Sequence, residues 1–373
     1  MPISLAFVST PELIVPVYND VIYVITSDMD VADKESRFEI TVTVNGVDRF
    51  FSVSPESGGG LTINISKILQ QFITSELVPR SGLFGVNTDQ MLSYVFFIKA
   101  MNSTSSGTQT TDLTRYFFNG ATQDFEAFDF NDYLMNPTTP GKLLNGYVAP
   151  IKTRLTDNLS IQLFEVTFDS ITYYYITDIT VVVYYKNGDT LISNIFLLGF
   201  GGLAGVTTLD ISPIRITNLT GFTIDSTVEK YTIEGTTGEF EVVTVQLVEQ
   251  DVRFNNVVRL AYINHLGATN YIGFNLGFSE DLGIKKETYQ NNNSEKVFDS
   301  EVRQSMSLIS DYMTEEESIF MQDLWVSPLI EDQDGRNVIL DVKKITIKRK
   351  RNDGLISYTI PFTYSKTYRS IKK

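Results

Sequence analysis

Apolar and polar residues alternate with a period of two along much of this chain, the mark of strands with one buried face. From Arg37 to Val44, Phe38, Ile40, Val42 and Val44 fall on one side and Glu39, Thr41 and Thr43 on the other. Asn45-Gly46 follows, a pair that tolerates the positive φ of a two-residue hairpin turn, and Arg49 to Val53 returns. An apolar run from Val21 to Thr26 follows the turn Tyr18-Asn19-Asp20. After a breaker cluster at Pro55 to Gly60, LTINISKILQQFI begins as a strand, and Ser66 is placed to cap a short helix toward Phe72. Tyr94 to Ala100 and Arg115 to Asn119 read as further strands around a polar loop, MNSTSSGTQTTD. These elements make residues 1–120 one β-sandwich module.

Residues 121–146 read as a linker and docking arm. The acidic-aromatic run DFEAFDFNDYLMNP carries Phe125, Phe128, Phe130 and Tyr133 and ends in a Pro/Thr/Gly cluster. It reads either as an arm that docks on a neighbouring subunit or as a segment that covers its own domain. In residues 147–275 the pattern begins again. Ile179 to Tyr185, the turn Asn187-Gly188 and Thr190 to Phe196 lead through a glycine-rich stretch into TTLDISPIRI. The first module has the same order: strand, Asn45-Gly46, strand, Gly58 to Gly60, LTINISKIL. Asn45 to Ile65 is 20 residues and Asn187 to Ile211 is 24, so the two stretches read as an internal repeat.

VVRLAYINHLGATNYIGF, Val257 to Phe274, closes the second module as a hairpin with a turn from Asn264 to Asn270. Residues 276–373 differ in kind. Thr314 and Glu317 have the spacing of a capping box, and Glu315, Glu316 and Glu317 complement a helix N-terminus. Ile319, Phe320, Leu324 and Trp325 form the apolar side, and Ser327-Pro328 ends the helix. Hairpin turns follow at Asp334-Gly335 and Asn352-Asp353-Gly354, and Pro361 suits an edge position in the last strand, Leu355 to Tyr364. The predicted fold class is mostly β: tandem β-sandwich-like modules, then a C-terminal α+β part with one short helix and basic β-hairpins.

Composition supports this, with 25 Phe and 19 Tyr against one Trp. The absence of cysteine excludes disulfides and thiolate metal sites, and a single histidine excludes sites needing two imidazoles. The N-terminus lacks the pattern of a signal peptide, and no apolar run is long enough to span a bilayer. The net charge of −15 is uneven: residues 343–373 hold ten Lys or Arg and one Asp, a net of +9, which leaves −24 for the remainder. An acidic body disfavours nonspecific nucleic-acid binding. The basic stretch with Lys343, Lys344, Lys348, Arg349, Lys350 and Arg351 reads as an edge hairpin blunted by charge or as a contact for an acidic partner, such as another copy of the chain.

His265, with Asn264 and Asn270, is the most catalytic-looking cluster. It lacks a Cys or Gly-x-Ser-x-Gly nucleophile, and Asn264 and Gly267 read better as turn residues. Carboxylate pairs for glycoside hydrolysis exist among Asp124, Glu126, Asp129 and Asp132, or Glu315 to Glu317, but nothing singles one out among 45 Asp and Glu. Asp332-Gln333-Asp334-Gly335 lacks the rest of a calcium loop, and GFGGLAG lacks the Lys-Ser/Thr of a phosphate loop. No catalytic, cofactor or metal residue is assigned, and the chain reads as non-enzymatic.

Three stretches together resemble virion proteins of tailed phages that infect Bacteroidetes, including the crAss-like phages. They are TPELIVPVYNDVIYVITSD through FEITVTVNG to LTINISKIL; LAYINHLGATNYIGF; and ISDYMTEEESIFMQDLWVSPLIEDQDG with the basic β tail. The resemblance implies a structural tail, neck-ring or baseplate component, made in the host cytoplasm, carried in the virion and present in multiple copies. Its implied partners are itself, in a ring-like homo-oligomer, and other tail or neck proteins. The alternative is a tail protein that binds or depolymerises host-surface glycan.

Overall fold

The computed structural model describes residues 2–74, 77, 84–87, 89–110, 114–122, 129–134, 140–147, 150–168, 172–174, 178–196, 205–236, 240–248, 257–274, 278–291, 294–340, 348–349, 356–365 and 369–372. The chain is mostly β, with tandem sandwich-like modules followed by an α+β part.

The first module contains β1 (Leu5–Ser9), β2 (Ile14–Pro16), β3 (Ile22–Ser27), β4 (Arg37–Val44), β5 (Val47–Val53), β6 (Leu61–Asn64), α1 (Ser66–Leu69), β7 (Phe84–Asn87), β8 (Met91–Met101), β9 (Ser106–Thr110) and β10 (Arg115–Phe118). One sheet runs β1-β3-β6. The other runs β2-β10-β8-β4-β5, with β9 pairing beyond β10 on β8. The alternation along β4 is realised: Phe38, Ile40, Val42 and Val44 are buried between the sheets. Each such side chain contributes about 1.5–3 kcal/mol of transfer free energy. Asn45 and Gly46 both take positive φ, 47° and 78°, so the β4–β5 turn is the primed type that matches strand twist. Tyr23 and Phe96 stack across the core at 4.0 Å, and the Tyr23 hydroxyl donates to that of Tyr94 at 3.2 Å.

Two local expectations change. The polar loop after β8 holds β9, whose pairing rests on backbone hydrogen bonds rather than an apolar face. Ser66 is the buried first residue of α1 rather than its cap; the Asn64 side chain accepts the Ser66 N–H at 3.0 Å instead.

The second module contains β11 (Ile151–Thr153), β12 (Ser160–Phe168), β13 (Thr172–Tyr174), β14 (Asp178–Tyr185), β15 (Thr190–Phe196), β16 (Gly205–Asp210), α2 (Pro213–Thr220), β17 (Val228–Gly235) and β18 (Val243–Leu247). Its sheet β11-β18-β17-β14-β15 reproduces β2-β10-β8-β4-β5 position for position, including a parallel pair at one end. The match extends to single bonds. Ile65 N–H donates to Val21 O at 3.0 Å, and Ile211 N–H to Leu159 O at 2.9 Å. Asp210 accepts the Ser212 N–H at 3.0 Å, as Asn64 accepts that of Ser66. The strand-turn-helix β6–α1 is therefore equivalent to β16–α2. One difference stands out: the sheet β13-β12-β16 gains a fourth strand, β7, from the first module.

The last part contains β19 (Val258–Ile263), β20 (Thr269–Phe274), β21 (Phe278–Asn291), β22 (Ser294–Ile309), α3 (Glu315–Phe320), α4 (Gln322–Val326), β23 (Ile330–Asp332), β24 (Val338–Leu340), β25 (Lys348–Arg349), β26 (Ile356–Ser357), β27 (Thr359–Tyr364) and β28 (Arg369–Lys372). The β19–β20 hairpin pairs with β23, and its Val258, Leu260, Tyr262 and Phe274 share a core with Met306, Leu308, Leu324 and Phe362. The hairpin thus packs with the C-terminal elements rather than in the core of the second module. The capping box forms as the spacing predicts, with Thr314 Oγ1 accepting from Glu317 N and Glu317 Oε2 accepting from Thr314 N. The single predicted helix is two short helices meeting at Met321, which is buried, while Ile319 is 60% exposed and leaves the expected apolar side.

β27 lies between β22 and β24, yet the described β24 pairing stops at Leu340, opposite Phe362, so Pro361 is paired on one side only among the described residues, opposite Ser307. The basic tail is no detachable appendage. Ile356, Tyr358, Ile360 and Phe362 all sit in the C-terminal core.

Candidate functional site

The hairpin singled out in the sequence is a keystone. Its turn, Asn264 to Ala268, inserts Leu266 and Ala268 into a small core with Ile14, Met91 and Phe118 of the first module and Phe164 and Val206 of the second. Gly267 has φ +78°, and a Cβ there would stand 1.7 Å from the carbonyl oxygen of Asn119. Ala121 N–H donates to His265 O at 2.6 Å. Only glycine both takes this backbone conformation without strain and allows that approach.

Beneath the turn lies a buried polar network. Asn145 Nδ2 donates to Thr269 O and Asn270 Oδ1 at 2.9 and 3.0 Å, and Asn145 Oδ1 accepts from Gln162 N at 2.6 Å. Gln162 Oε1 accepts from Thr269 N, and Asn264 Nδ2 donates to Leu144 O at 2.8 Å. Asn145, Gln162, Asn264 and Asn270 are all buried. Burying so many amides is tolerable because they satisfy one another. Asn264 and Asn270 are thus turn and network residues, and His265 stands at the rim with Nδ1 2.8 Å from Asp323 Oδ2. Among the described residues no group of three Asp, Glu or His is arranged to hold a metal ion.

A cavity of about 340 Å³ lies where the second module meets the C-terminal part, with Tyr147, Ile151, Tyr271, Phe274 and Phe320 in its walls. Its charged rim is internally neutralised. Arg154, almost wholly buried, reaches Asp157 at 3.5 Å and Asp311 at 2.5 Å. Arg259 holds the other oxygen of Asp157 at 2.6 Å, and Lys152 holds Glu317 at 2.6 Å. Burial opposes ionisation of Glu317, but Lys152 and the Thr314 N–H outweigh it and hold the carboxyl below its ordinary range. These pairs clasp two parts of the molecule together.

The candidate interface residues divide. Phe130 and Tyr133 lie in a 3-10 turn and pack half-buried on the inter-module core, Tyr133 at 6.5 Å from the Phe164 ring. Their docking is within the chain. Phe125, Phe128, Lys343, Lys344, Lys350 and Arg351 lie outside the described residues, and Lys348 and Arg349 form β25 against β26.

A further exposed element carries only a weak signal in the sequence. β21 is a 14-residue strand at a sheet end, with every residue from Ser279 to Gln290 exposed. Leu282 and Ile284, 55% and 60% exposed, lie on one of its faces. The signal was weak because charges interrupt the period-two pattern at Lys285, Lys286 and Glu287.

No family model and no curated protein matches the chain. Among solved structures it is similar to the full extracellular region of plexin A4, at 9% identity and TM-score 0.20, covering 98% of this chain and 36% of that one. It is similar to the native conformation of E. coli alpha-2-macroglobulin, at 7% identity and TM-score 0.24, over 83% of this chain and 18% of that one. A Ca2+-stabilized adhesin that helps an Antarctic bacterium bind ice gives 10% identity and TM-score 0.18, over 83% and 70%. The chain thus spans well under half of the plexin and macroglobulin chains, and at these TM-scores the likenesses carry no argument. No helix is long and apolar enough to cross a membrane among the described residues.

Proposed function

We propose that this chain is a non-enzymatic structural component of a phage tail, a neck or tail ring or baseplate subunit that assembles in multiple copies. The observation that carries the reading is β21: long, at a sheet end, exposed on both faces and apolar at Leu282 and Ile284. Long edge strands are ready templates for another chain, and monomers normally blunt them. Three cores, with a small fourth core and a buried polar network between modules, supply the packed body such a subunit needs. Head-to-tail contacts between unlike surfaces of successive copies close into rings.

The test is sedimentation of the purified full chain, with electron microscopy of the assembled tail for position and copy number. The wild type is expected to form discrete oligomers, and Leu282→Lys with Ile284→Lys should shift them to monomer while the circular dichroism spectrum is kept. A wild type that stays monomeric at all concentrations and is missing from the particle sinks the reading. A second reading, a glycan-contacting tail protein, draws on the aromatic walls of the cavity at Tyr147 and Tyr271. Binding of host capsule by the wild type, lost on Tyr271→Ala, would favour it.

A further inference from the structure

The repeat exposes an unequal pair of surfaces. In the second module, Thr208 N–H faces away from β12, and β7 pairs along that side of β16, with Thr208 opposite Gly85 and Leu209 opposite Phe84. The outer face of the same sheet is covered too: Ser160 and Gln162 are buried under the network that includes Asn145 and Thr269. In the first module the equivalents of Thr208, Ser160 and Gln162 are Thr62, Ile22 and Val24, by the register that aligns Ile211 with Ile65. Among the described residues no strand pairs with the outer edge of β6. Thr62 N–H points outward, where the exposed side chain of Glu56 accepts it at 2.9 Å. Ile22 is 39% exposed on the outer face, where its counterpart Ser160 is buried.

We propose that β6 takes a strand from a second copy of this chain, and that the donor is the outer edge of β21. The edge and the donor complement each other in three respects. Each lacks a pairing strand on one side among the described residues. The apolar Leu282 and Ile284 share a face, as Ile22 and Val24 do on the acceptor. Lys285 and Lys286, in the middle of the donor between Asp281 and Glu287, are opposite in charge to Glu56 and Asp20 beside the acceptor edge. Added strands gain affinity from backbone bonds and specificity from alternate side chains. The contact joins unlike surfaces, so it propagates head to tail. The inference rests on the multi-copy reading and specifies its contact.

Because the chain has no cysteine, engineered thiols are unique. Thr62→Cys is mixed, under mild oxidation, with Leu282→Cys, Ile284→Cys or Lys286→Cys, all on one face of β21. A disulfide-linked dimer is expected in at least one mixture and in none of the four proteins alone. Thr62→Pro should weaken self-association on the order of tenfold, since about 1.4 kcal/mol corresponds to that factor. It removes an outward N–H and leaves the β3–β6 ladder intact. Hydrogen exchange on the wild type guards against a misfolded variant: the Thr62 and Asn64 amides should exchange more slowly in the oligomer than in the monomer, where Glu56 alone holds the Thr62 N–H. Equal protection in monomer and oligomer means the edge takes no strand on assembly and overturns the proposal. A wild type that assembles without any cross-link, and a folded Thr62→Pro that assembles equally well, overturn it while leaving the multi-copy reading standing. A wild type that never assembles overturns both.

Discussion

The two β modules share a backbone and differ in what covers it. Both place a shared path of five strands with one parallel pair, to which β9 adds a sixth strand in the first module, against a sheet that ends in a strand-turn-helix, and both close their Asn-Gly hairpins with positive-φ glycines. In the second module the outer face and edge of the smaller sheet are occupied by β7, by residues 140–147 and by the β19–β20 hairpin. In the first module that face presents Ile22 and the edge presents Thr62. A repeated fold therefore does not carry repeated surface contacts. The polar amides at Asn145, Gln162 and Asn270 belong to the covered copy alone, where low dielectric strengthens them.

The largest effect is expected where the keystone meets both modules. Gly267→Val places a β-branched side chain at φ +78° and drives its Cβ into Asn119 O. The cost should exceed about 4 kcal/mol, because the Asn119 backbone cannot retreat without opening the inter-module core. Gly188→Val, in the β14–β15 turn, also has positive φ, 93°, but its added Cβ meets nothing within 4 Å. It should cost about 1–3 kcal/mol from backbone strain alone. Thermal unfolding of the two variants separates close approach from conformation; equal losses would mean that the Asn119 contact is immaterial.

Next is Asn145→Ala, which removes the side-chain bonds to Gln162 N–H, Thr269 C=O and Asn270 Oδ1, while Asn270 Nδ2 keeps its bond to the backbone carbonyl of residue 145. About 3 kcal/mol is expected, since an orphaned buried group costs its full desolvation. The loss should fall on the junction, so hydrogen exchange should speed up at Thr269 and Gln162 and stay unchanged in β3 and β6. A uniform loss would dissolve the distinction between the covered and uncovered sheets.

Thr208→Pro and Thr62→Pro test that distinction at equivalent positions. The first removes a donor from the β16–β7 ladder and should cost about 2 kcal/mol. The second removes an N–H held only by an exposed carboxylate and should cost the isolated chain less than about 1 kcal/mol. Denaturant midpoints of the two proteins at low concentration decide it.

The sequence made much of this legible, for physical reasons. Alternation along β4 and the Asn-Gly turns are local signals, set by neighbouring residues alone. The Thr314–Glu317 capping box was legible because it spans a single helical turn. The repeat is visible in LTINIS and TTLDIS because the same side-chain bond to the backbone N–H two residues on recurs at Asn64 and Asp210. What was not legible depends on distant residues. Gly267 reads as a turn glycine, and nothing local reveals that Asn119 presses against it. Phe130 and Tyr133 look like an outward arm until the second module supplies Phe164. Ile319 fits the helical stripe, but the break at Met321 turns it to solvent.

The smallest effect concerns the clasp that only the second module has. Lys152 on β11 pairs with Glu317 on α3 at 2.6 Å. The carboxyl's ordinary value is 4.5 and its folded value is lower, although burial alone would raise it. A depressed carboxylate contributes stability that is fully present above pH 4.5 and is lost as pH falls through the folded value. Lys152 is about half exposed, so solvent screening limits the contribution to about 1 kcal/mol or less. Glu317→Gln keeps an acceptor for the Thr314 N–H while removing the charge, which separates the clasp from the cap. The variant should be slightly less stable than wild type at pH 7, and the gap should close below pH 4.5. Added salt at pH 7 should narrow it in the same direction. A gap that persists unchanged to pH 3 would mean that Glu317 acts through packing at the cap, and that the second module holds the C-terminal part by its buried network alone.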